Sequence, residues 1–263
     1  MTNCSTFRTA AHLIALLGAC VILLGGCAAS ARTADDPITL DFAGPAALDV
    51  ESFAGDVSVT ADPTLDHATV QLTREGRQGF DRMGESWDTI EQISLDVDVV
   101  TGDIGPTLQI RTATEHPEPH LQRAHLDIRM PEVDGVFIRT SRGRVHLEDV
   151  QGTVDIANRF GDVRVLTNHA MTRSVRIDVE QGDIVYHTRG NSEGAVECRA
   201  DNGRIHHRVS LGRFDIQRPT REYQLFGRLN EGDNPVELTT VDGDIYFGTF
   251  EHPTRVSRWR IRY

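Results

Sequence analysis

The sequence predicts an all-β fold, a right-handed single-chain parallel β-solenoid of roughly 20-residue coils, with a less regular N-terminal β region and a short helical insert. Two observations carry this. A motif of glycine, polar residue, aliphatic, any residue and aliphatic or aromatic recurs at a near-constant step. A second series of alternating apolar and polar residues interleaves with it.

The first series runs Gly143-Arg144-Val145-His146-Leu147, Gly161-Asp162-Val163-Arg164-Val165, Gly182-Asp183-Ile184-Val185-Tyr186, Gly203-Arg204-Ile205-His206-His207 and Gly243-Asp244-Ile245-Tyr246-Phe247. Its steps are 18, 21, 21 and 40 residues, and the last reads as two steps with a degenerate copy near Tyr223 to Phe226. The second series places strands at Val136–Ile138, Val154–Ile156, Val175–Ile177, Val196–Cys198, Phe214–Ile216 and Val236–Leu238. Strict alternation marks a half-buried strand, and glycine before a strand supplies a turn position with positive φ. One such unit cannot bury its apolar side. Stacking units about 4.8 Å apart builds a continuous inner column of Val, Ile, Leu and Phe, and the expected hand is right. An antiparallel sandwich is the rival geometry, but constant steps with the same residue types in register favour the solenoid.

The earlier part holds one clear copy, Leu48-Asp49-Val50-Glu51 leading to Gly55-Asp56-Val57-Ser58-Val59. Strand-like runs follow at 68–73, 93–100, 108–112 and 125–130. Phe80, Met83, Trp87 and Ile90 are spaced as one face of a short helix, a packed helix or lid over the solenoid's open end. The expected organisation is a signal over 1–26, a polar tether over 27–36, and an N-terminal β region over 37–130 with its insert near 80–92. The repeat solenoid over 131–250 is continuous with that region, and a C-terminal cap occupies 251–263.

The leader has three parts. Arg8 is its charge, Leu13 to Leu24 is an apolar core too short to span a bilayer, and Leu24-Gly25-Gly26-Cys27 follows. This last tetrad resembles the bacterial lipobox, which implies lipidation of Cys27 and a membrane anchor. Residue Ala28 stands where an aspartate resembles an inner-membrane retention signal, so the outer membrane is favoured if the cell has one.

The formal net charge is −12, so a chain starting at Cys27 and lacking Arg8 carries about −13. All 27 basic residues are arginine. With no basic stripe, nucleic acid and polybasic docking on anionic lipid are not expected as partners. Of the four cysteines, Cys4 and Cys20 leave with the signal and Cys27 is lipidated, so Cys198 has no disulfide partner.

The run Leu126-Asp127-Ile128-Arg129-Met130-Pro131, then Val136 to Thr140 and Ser141-Arg142-Gly143-Arg144-Val145, resembles the bacterial adhesin-like β-solenoid domains of unknown function. In that family a strand–proline entry leads into coils of Thr or Ser, polar, Gly, Asp, Val, matched here at Gly161-Asp162-Val163, Gly182-Asp183-Ile184 and Gly243-Asp244-Ile245. The resemblance spans roughly Leu48 to Phe247 and brings no catalytic residue and no cofactor with it.

The site residues expected are structural turn positions: Gly143, Gly161, Asp162, Gly182, Asp183, Gly203, Gly243 and Asp244. The aspartates, with Asp56, lack the dense nonapeptide of a calcium β-roll and are expected to bond their own turn backbone. His146 and His206 share a repeat position three coils apart, about 14 Å, too far for one ion. His207 falls at an inward position and needs either a strand end or a polar partner. Cys198 takes the inward slot of Ile156, Ile177, Ile216 and Leu238, which implies a buried, inert thiol. Arg144, Asp162, Asp183 and Arg204 form an outward column with partial charge pairing, in which Asp162 and Asp183 are the only acidic pair on adjacent coils.

No Ser/His/Asp order, P-loop or Rossmann fingerprint is present, and the chain is expected not to be an enzyme; a polysaccharide-active β-helix is the weaker alternative. The leading expectation is an envelope lipoprotein whose solenoid binds or adheres to an envelope protein or glycan. The alternative is an envelope-stress sensor. Lipidation is checked by fractionation with fatty-acid labelling. Wild type should be labelled and membrane-retained, and Cys27→Ala should lose both.

Overall fold

The computed structural model describes residues 30–41, 44–77, 83–102, 105–217 and 221–256. The signal segment and Cys27 lie outside the described residues.

In chain order the elements are β1 (Ala31–Ala34), β2 (Ile38–Leu40), β3 (Ala46–Ser52), β4 (Val57–Ala61), β5 (Ala68–Gly76), α1 (Met83–Ile90), β6 (Ile93–Gly102), β7 (Gly105–Thr114) and β8 (Gln122–Met130). The repeats follow as β9 (Val133–Arg142), β10 (Val145–Glu148), β11 (Gln151–Phe160), β12 (Val163–Leu166), β13 (Val175–Gln181), β14 (Ile184–Arg189), β15 (Gly194–Ala200) and β16 (Ile205–Val209). The chain continues through β17 (Phe214–Ile216), β18 (Gln224–Leu229), β19 (Pro235–Asp242) and β20 (Ile245–Phe250).

Each coil gives one strand to each of two facing sheets. The first sheet runs β1-β5-β8-β4-β10-β12-β14-β20-β16, with β2 also on β5, and the second runs β17-β18-β15-β19-β13-β11-β9-β3-β7-β6. From β7 and β8 to β15 and β16 the pairing is parallel and in register, as the repeats require. Alternation sends every second residue inward. One inner column reads Val59, Leu147, Val165, Tyr186 and Phe247, and the facing one reads Val50, Ile138, Ile156, Ile177, Leu238 and Cys198. All of these are at most 1% exposed. Such columns supply the apolar burial that drives folding, about 25 cal/mol for each Å² removed from water.

Stacking order departs from sequence order at both ends. The coil β3–β4 lies between β7–β8 and β9–β10, and the coil β19–β20 lies between β13–β14 and β15–β16. Equal 20-residue steps had implied that Gly243 stacks beyond Gly203. Instead Gly243 follows Gly182, and Gly203 follows Gly243. Every coil carries the same motif, so any coil fits any level, and the connecting segments decide the order. His146 and His206 therefore sit four strands apart, about 19 Å, and not three.

Several other expectations change. The stretch 212–216 is no coil strand: β17 pairs antiparallel with β18, which pairs antiparallel with β15, and Ile216 is 52% exposed. The degenerate copy near Tyr223 is thus an antiparallel cap on the last coil. The tether is shorter than 27–36, because β1 pairs antiparallel with β5 and Asp35 forms an ion pair with Arg74. The described part of the segment after Phe250, residues 251–256, lies on a side of the stack and not at its end. Its single turn at Pro253–Arg255 packs beside β14, and Thr254 Oγ1 accepts a hydrogen bond from Asn168 Nδ2 (2.8 Å). Residues 257–263 and Phe80 lie outside the described residues. Helix α1 packs on β1 and β5 through Ser86 and Ile90, four residues apart, while Trp87 is half exposed. Trp87 and Ile90 do not share the buried face.

The corner between the second and first sheets fixes the coil height. Gly143 has φ +130°, and a Cβ there would lie 2.0 Å from the Gly55 carbonyl oxygen of the adjoining coil. Gly143→Ala must therefore push the two coils apart, in a conformation L-residues rarely adopt. The expected loss is about 3 kcal/mol, read from the urea midpoint, whereas Ser141→Ala on the exposed surface beside it should change little.

Candidate functional site

The turn residues singled out by the motif come together as one column at this corner. Following the stack, they are Asp56, Arg144, Asp162, Asp183, Asp244 and Arg204. The aspartates do not bond their own turns. Each Oδ1 accepts the main-chain N–H at the same position of the next coil: Asp56 from Arg144 (2.8 Å), Asp162 from Asp183 (2.9 Å), Asp183 from Asp244 (2.9 Å) and Asp244 from Arg204 (2.8 Å). The glycine before each aspartate leaves the main chain close enough for this bond, so glycine and aspartate act as one unit. The column holds three consecutive acidic residues, Asp162, Asp183 and Asp244, because the inserted coil brings Asp244 beside Asp183. Their carboxylates are engaged by the backbone, and the charge pairing expected along the column is seen between its first two members. Arg144 pairs with Asp56 there at 3.1 Å.

Sequence reasoning missed a second polar chain that continues from Asp56. The Asp56 N–H donates to His125 Nδ1 (3.2 Å), and His125 Nε2 lies 2.8 Å from Glu75 Oε2. Arg77 Nε donates to Glu75 Oε1 (2.7 Å). The His125 ring, 3.6 Å from the Asp56 carboxylate, holds that carboxyl well below the usual range, helped by the main chain and guanidinium of Arg144. Burial raises Glu75, but Arg77 and His125 outweigh it and leave it lowered. Both ring nitrogens of His125 are thus engaged. No hydroxyl or thiol nucleophile stands in this chain of bonds, so it has the form of a strut between β4, β5 and β8.

The remaining candidates are placed as follows. Cys198 is fully buried, and burial pushes its thiol far above its ordinary value. His207 keeps the inward register opposite Phe247, but β16 is the last strand of its sheet, so nothing covers the ring and it rests beside Phe214 (centroids 6.2 Å apart). His206 stacks on Tyr246 (4.8 Å) and approaches Asp244 (3.6 Å). Among the described residues, no group of three or more His, Cys, Asp or Glu side chains is placed to hold a metal ion.

His187 was not legible as special. Alternation turns it outward, yet it is fully buried against Phe250 (4.9 Å, edge to face), where residues 167–171 and the Pro253 turn lie over β14. Burial pushes it down to about 4, with Arg164 adding to the shift.

Two concave faces run along the sheets. The larger, about 670 Å³, lies along the second sheet and is lined by Glu51, Arg139, Arg159, Asp178, Glu180 and Val241, among others. Its charges alternate: Arg139 pairs with Asp155 (2.9 Å) and Arg159 with Glu180 (3.0 Å). A groove of about 470 Å³ follows the aspartate column past His146 and Arg164. Exposed alternating charge on a seven-strand face is suited to binding an extended partner. Neither groove places a general acid and base about a common point.

Comparison with known proteins gives a family and a fold. The Toastrack DUF4097 family model matches residues 47–247. A crystal structure of a candidate cell adhesion protein from Clostridium sporogenes ATCC 15579 superposes with a TM-score of 0.51 at 10% identity, covering 84% of this chain and 100% of that one. A candidate adhesin from Bacteroides fragilis NCTC 9343 aligns at 10% identity over 82% of this chain and 98% of that one, with a TM-score of 0.27. No curated protein matches the chain.

Two outcomes follow from the geometry. Asp183→Ala leaves the Asp244 N–H without its acceptor and should lower stability by about 1 kcal/mol, whereas Asp183→Asn, which keeps an oxygen there, should recover most of it. Both are read from urea unfolding. His187 is neutral in the fold at pH values where the unfolded side chain, with a pKa of about 6.5, takes up a proton. Its contribution is complete above pH 6.5 and is lost as pH falls towards 4, on the order of 3 kcal/mol. Unfolding curves between pH 7.5 and 4.5 should show this slope, and His187→Leu should flatten it.

Proposed function

The chain belongs to the Toastrack DUF4097 family, and on that premise we propose that it is a non-catalytic lipoprotein of the cell envelope that presents its solenoid for adhesion to another envelope component. The observation that carries this reading is the state of its reactive side chains. The aspartates of the repeat cap the next coil's backbone, His125 lies between Glu75 and the Asp56 main chain, and Cys198 is sealed in the core. What remains for function is surface: a long face of alternating charge and a groove along the aspartate column, rigid because their strands are paired on both sides. The likeness to the Clostridium sporogenes cell adhesion candidate supports the fold on which this rests. Lipid on Cys27 would hold those faces close to a membrane, since only a few residues separate Cys27 from β1.

The test is attachment, to abiotic surfaces and between cells, of a strain lacking the protein. Attachment should fall, return with wild type, and return only in part with the double variant Arg139→Glu, Asp178→Arg, which inverts charge on the larger groove. Undiminished attachment in the deletion strain would sink the adhesion reading.

A further inference from the structure

The corner that holds the aspartate column also carries, two residues before it in each coil, a column whose stacked order is Arg123, Ala54, Arg142, Phe160. Main-chain bonds fix this order: Gly55 N–H donates to Arg142 O and Ala124 N–H to Ala54 O, each at 2.7 Å. Arg123 and Arg142 therefore stand two strands apart, about 10 Å along the stack, with only a buried alanine between them. Arg142 and Ala54 line a cleft of about 310 Å³ with Phe53, His120, Ser141, Arg159 and Phe160, and Arg123 stands behind Ala54, outside that lining.

Positive charge here is out of keeping with a chain of net charge −12. Arg77 is answered by Glu75 and Arg159 by Glu180. Arg142 has no carboxylate partner among the described residues; its guanidinium lies 5.8 Å from the Phe160 ring centre. Among the described residues Arg123 Nη1, shut from solvent, has no acceptor. Burial and the neighbouring Arg77 and Arg142 charges push the Arg123 guanidinium down from its ordinary value, and Glu75 and Asp56 offset this in part. Arg142, with like charge behind it and no carboxylate of its own, is placed to take an oxyanion in the cleft, because a guanidinium fork matches carboxylate, phosphate and sulfate oxygens.

We propose that Arg142, with the Arg123 charge standing behind Ala54, forms a binding site for an oxyanionic group borne on a narrow chain, an acidic polysaccharide. A bilayer surface fits less well. The cleft is recessed at the corner, and the flanking aspartate column would be repelled by a flat anionic sheet. A single chain can enter, with its sugar rings against Phe53 and Phe160. As the ligand of the adhesive surface, this site rests on the proposed function; as an anion site, it stands by itself.

The experiment uses the full-length protein in neutral detergent, titrated with polygalacturonate, neutral dextran, inorganic phosphate and phosphatidylglycerol vesicles. Wild type should bind polygalacturonate and not dextran, with inorganic phosphate competing. Arg142→Ala should weaken binding at least tenfold and flatten its salt dependence, and Arg142→Lys should retain part of it. Ser141→Glu sets a carboxylate at an exposed position of the cleft wall without touching the core. It should abolish binding, so the result does not hinge on the folding of an arginine variant. Arg199→Ala, on β15 and outside the cleft and both grooves, should bind as wild type. Equal binding by wild type, Arg142→Ala and Ser141→Glu would overturn the site. So would failure of polygalacturonate to bind, or binding of vesicles in its place. Loss of cell attachment plays no part in this readout, so a failed adhesion test and a failed anion site are told apart.

Discussion

The stack depends on one close approach. At the corner between the sheets, glycine lies against the carbonyl of the glycine below, at Gly143, Gly161, Gly182, Gly243 and Gly203 in turn, and Gly55 lies against that of Ala124. A single Cβ in this column would lift one coil off the next and break ladder hydrogen bonds on both sheets. Because the main chains meet so closely, the aspartate that follows can reach the neighbouring N–H, and the carboxylate meets a donor that no strand partner supplies. The repulsion between Asp162, Asp183 and Asp244 is tolerated because each carboxylate is held by a main-chain N–H. Side-chain caps add to the same corner: Asn158 Nδ2 donates to the carbonyls of Gly143 and Gly161, and Thr240 Oγ1 to that of Gly182.

Much of this was legible in the sequence. Glycine followed by alternating residues gave the strands, their inward faces and the coil period, because these are local properties of a few residues. The burial of Cys198 followed from its slot in the pattern. Stacking order was not legible, since interchangeable coils carry no mark of their level. Nor was the Glu75–His125–Asp56 chain, which joins residues 50 and 69 positions apart. The burial of His187 depends on segments beyond its own strand. What hinted at it was the longer step between Gly161 and Gly182, which adds residues between β12 and β13 that fold back over the sheet.

The functional reading follows the same division. A regular ladder consumes reactive groups at its corners and leaves outward positions free to vary, so the fold specifies a shape and little chemistry. Departures from regularity are therefore informative. The arginine pair around Ala54 arises where the inserted first coil brings a small residue between two large basic ones, a juxtaposition that sequential stacking would not have produced.

The inward placement of the first and last coils bears on how the molecule resists force. Repeat arrays ordinarily fray from their termini, one unit at a time. Here the sequence-terminal coils are clamped between neighbours on both sides, and the antiparallel strands β6 and β17 lie outermost in their sheet. A pull on the chain near Ala31 first loads β1 along its length against β5, so the hydrogen bonds of that pair share the strain in shear and are not opened singly. Beyond it the pull meets β3, gripped on both edges by β7 and β9. Extracting that coil means parting two ladders together. The solenoid should thus yield as a block under tension applied from its N-terminal side.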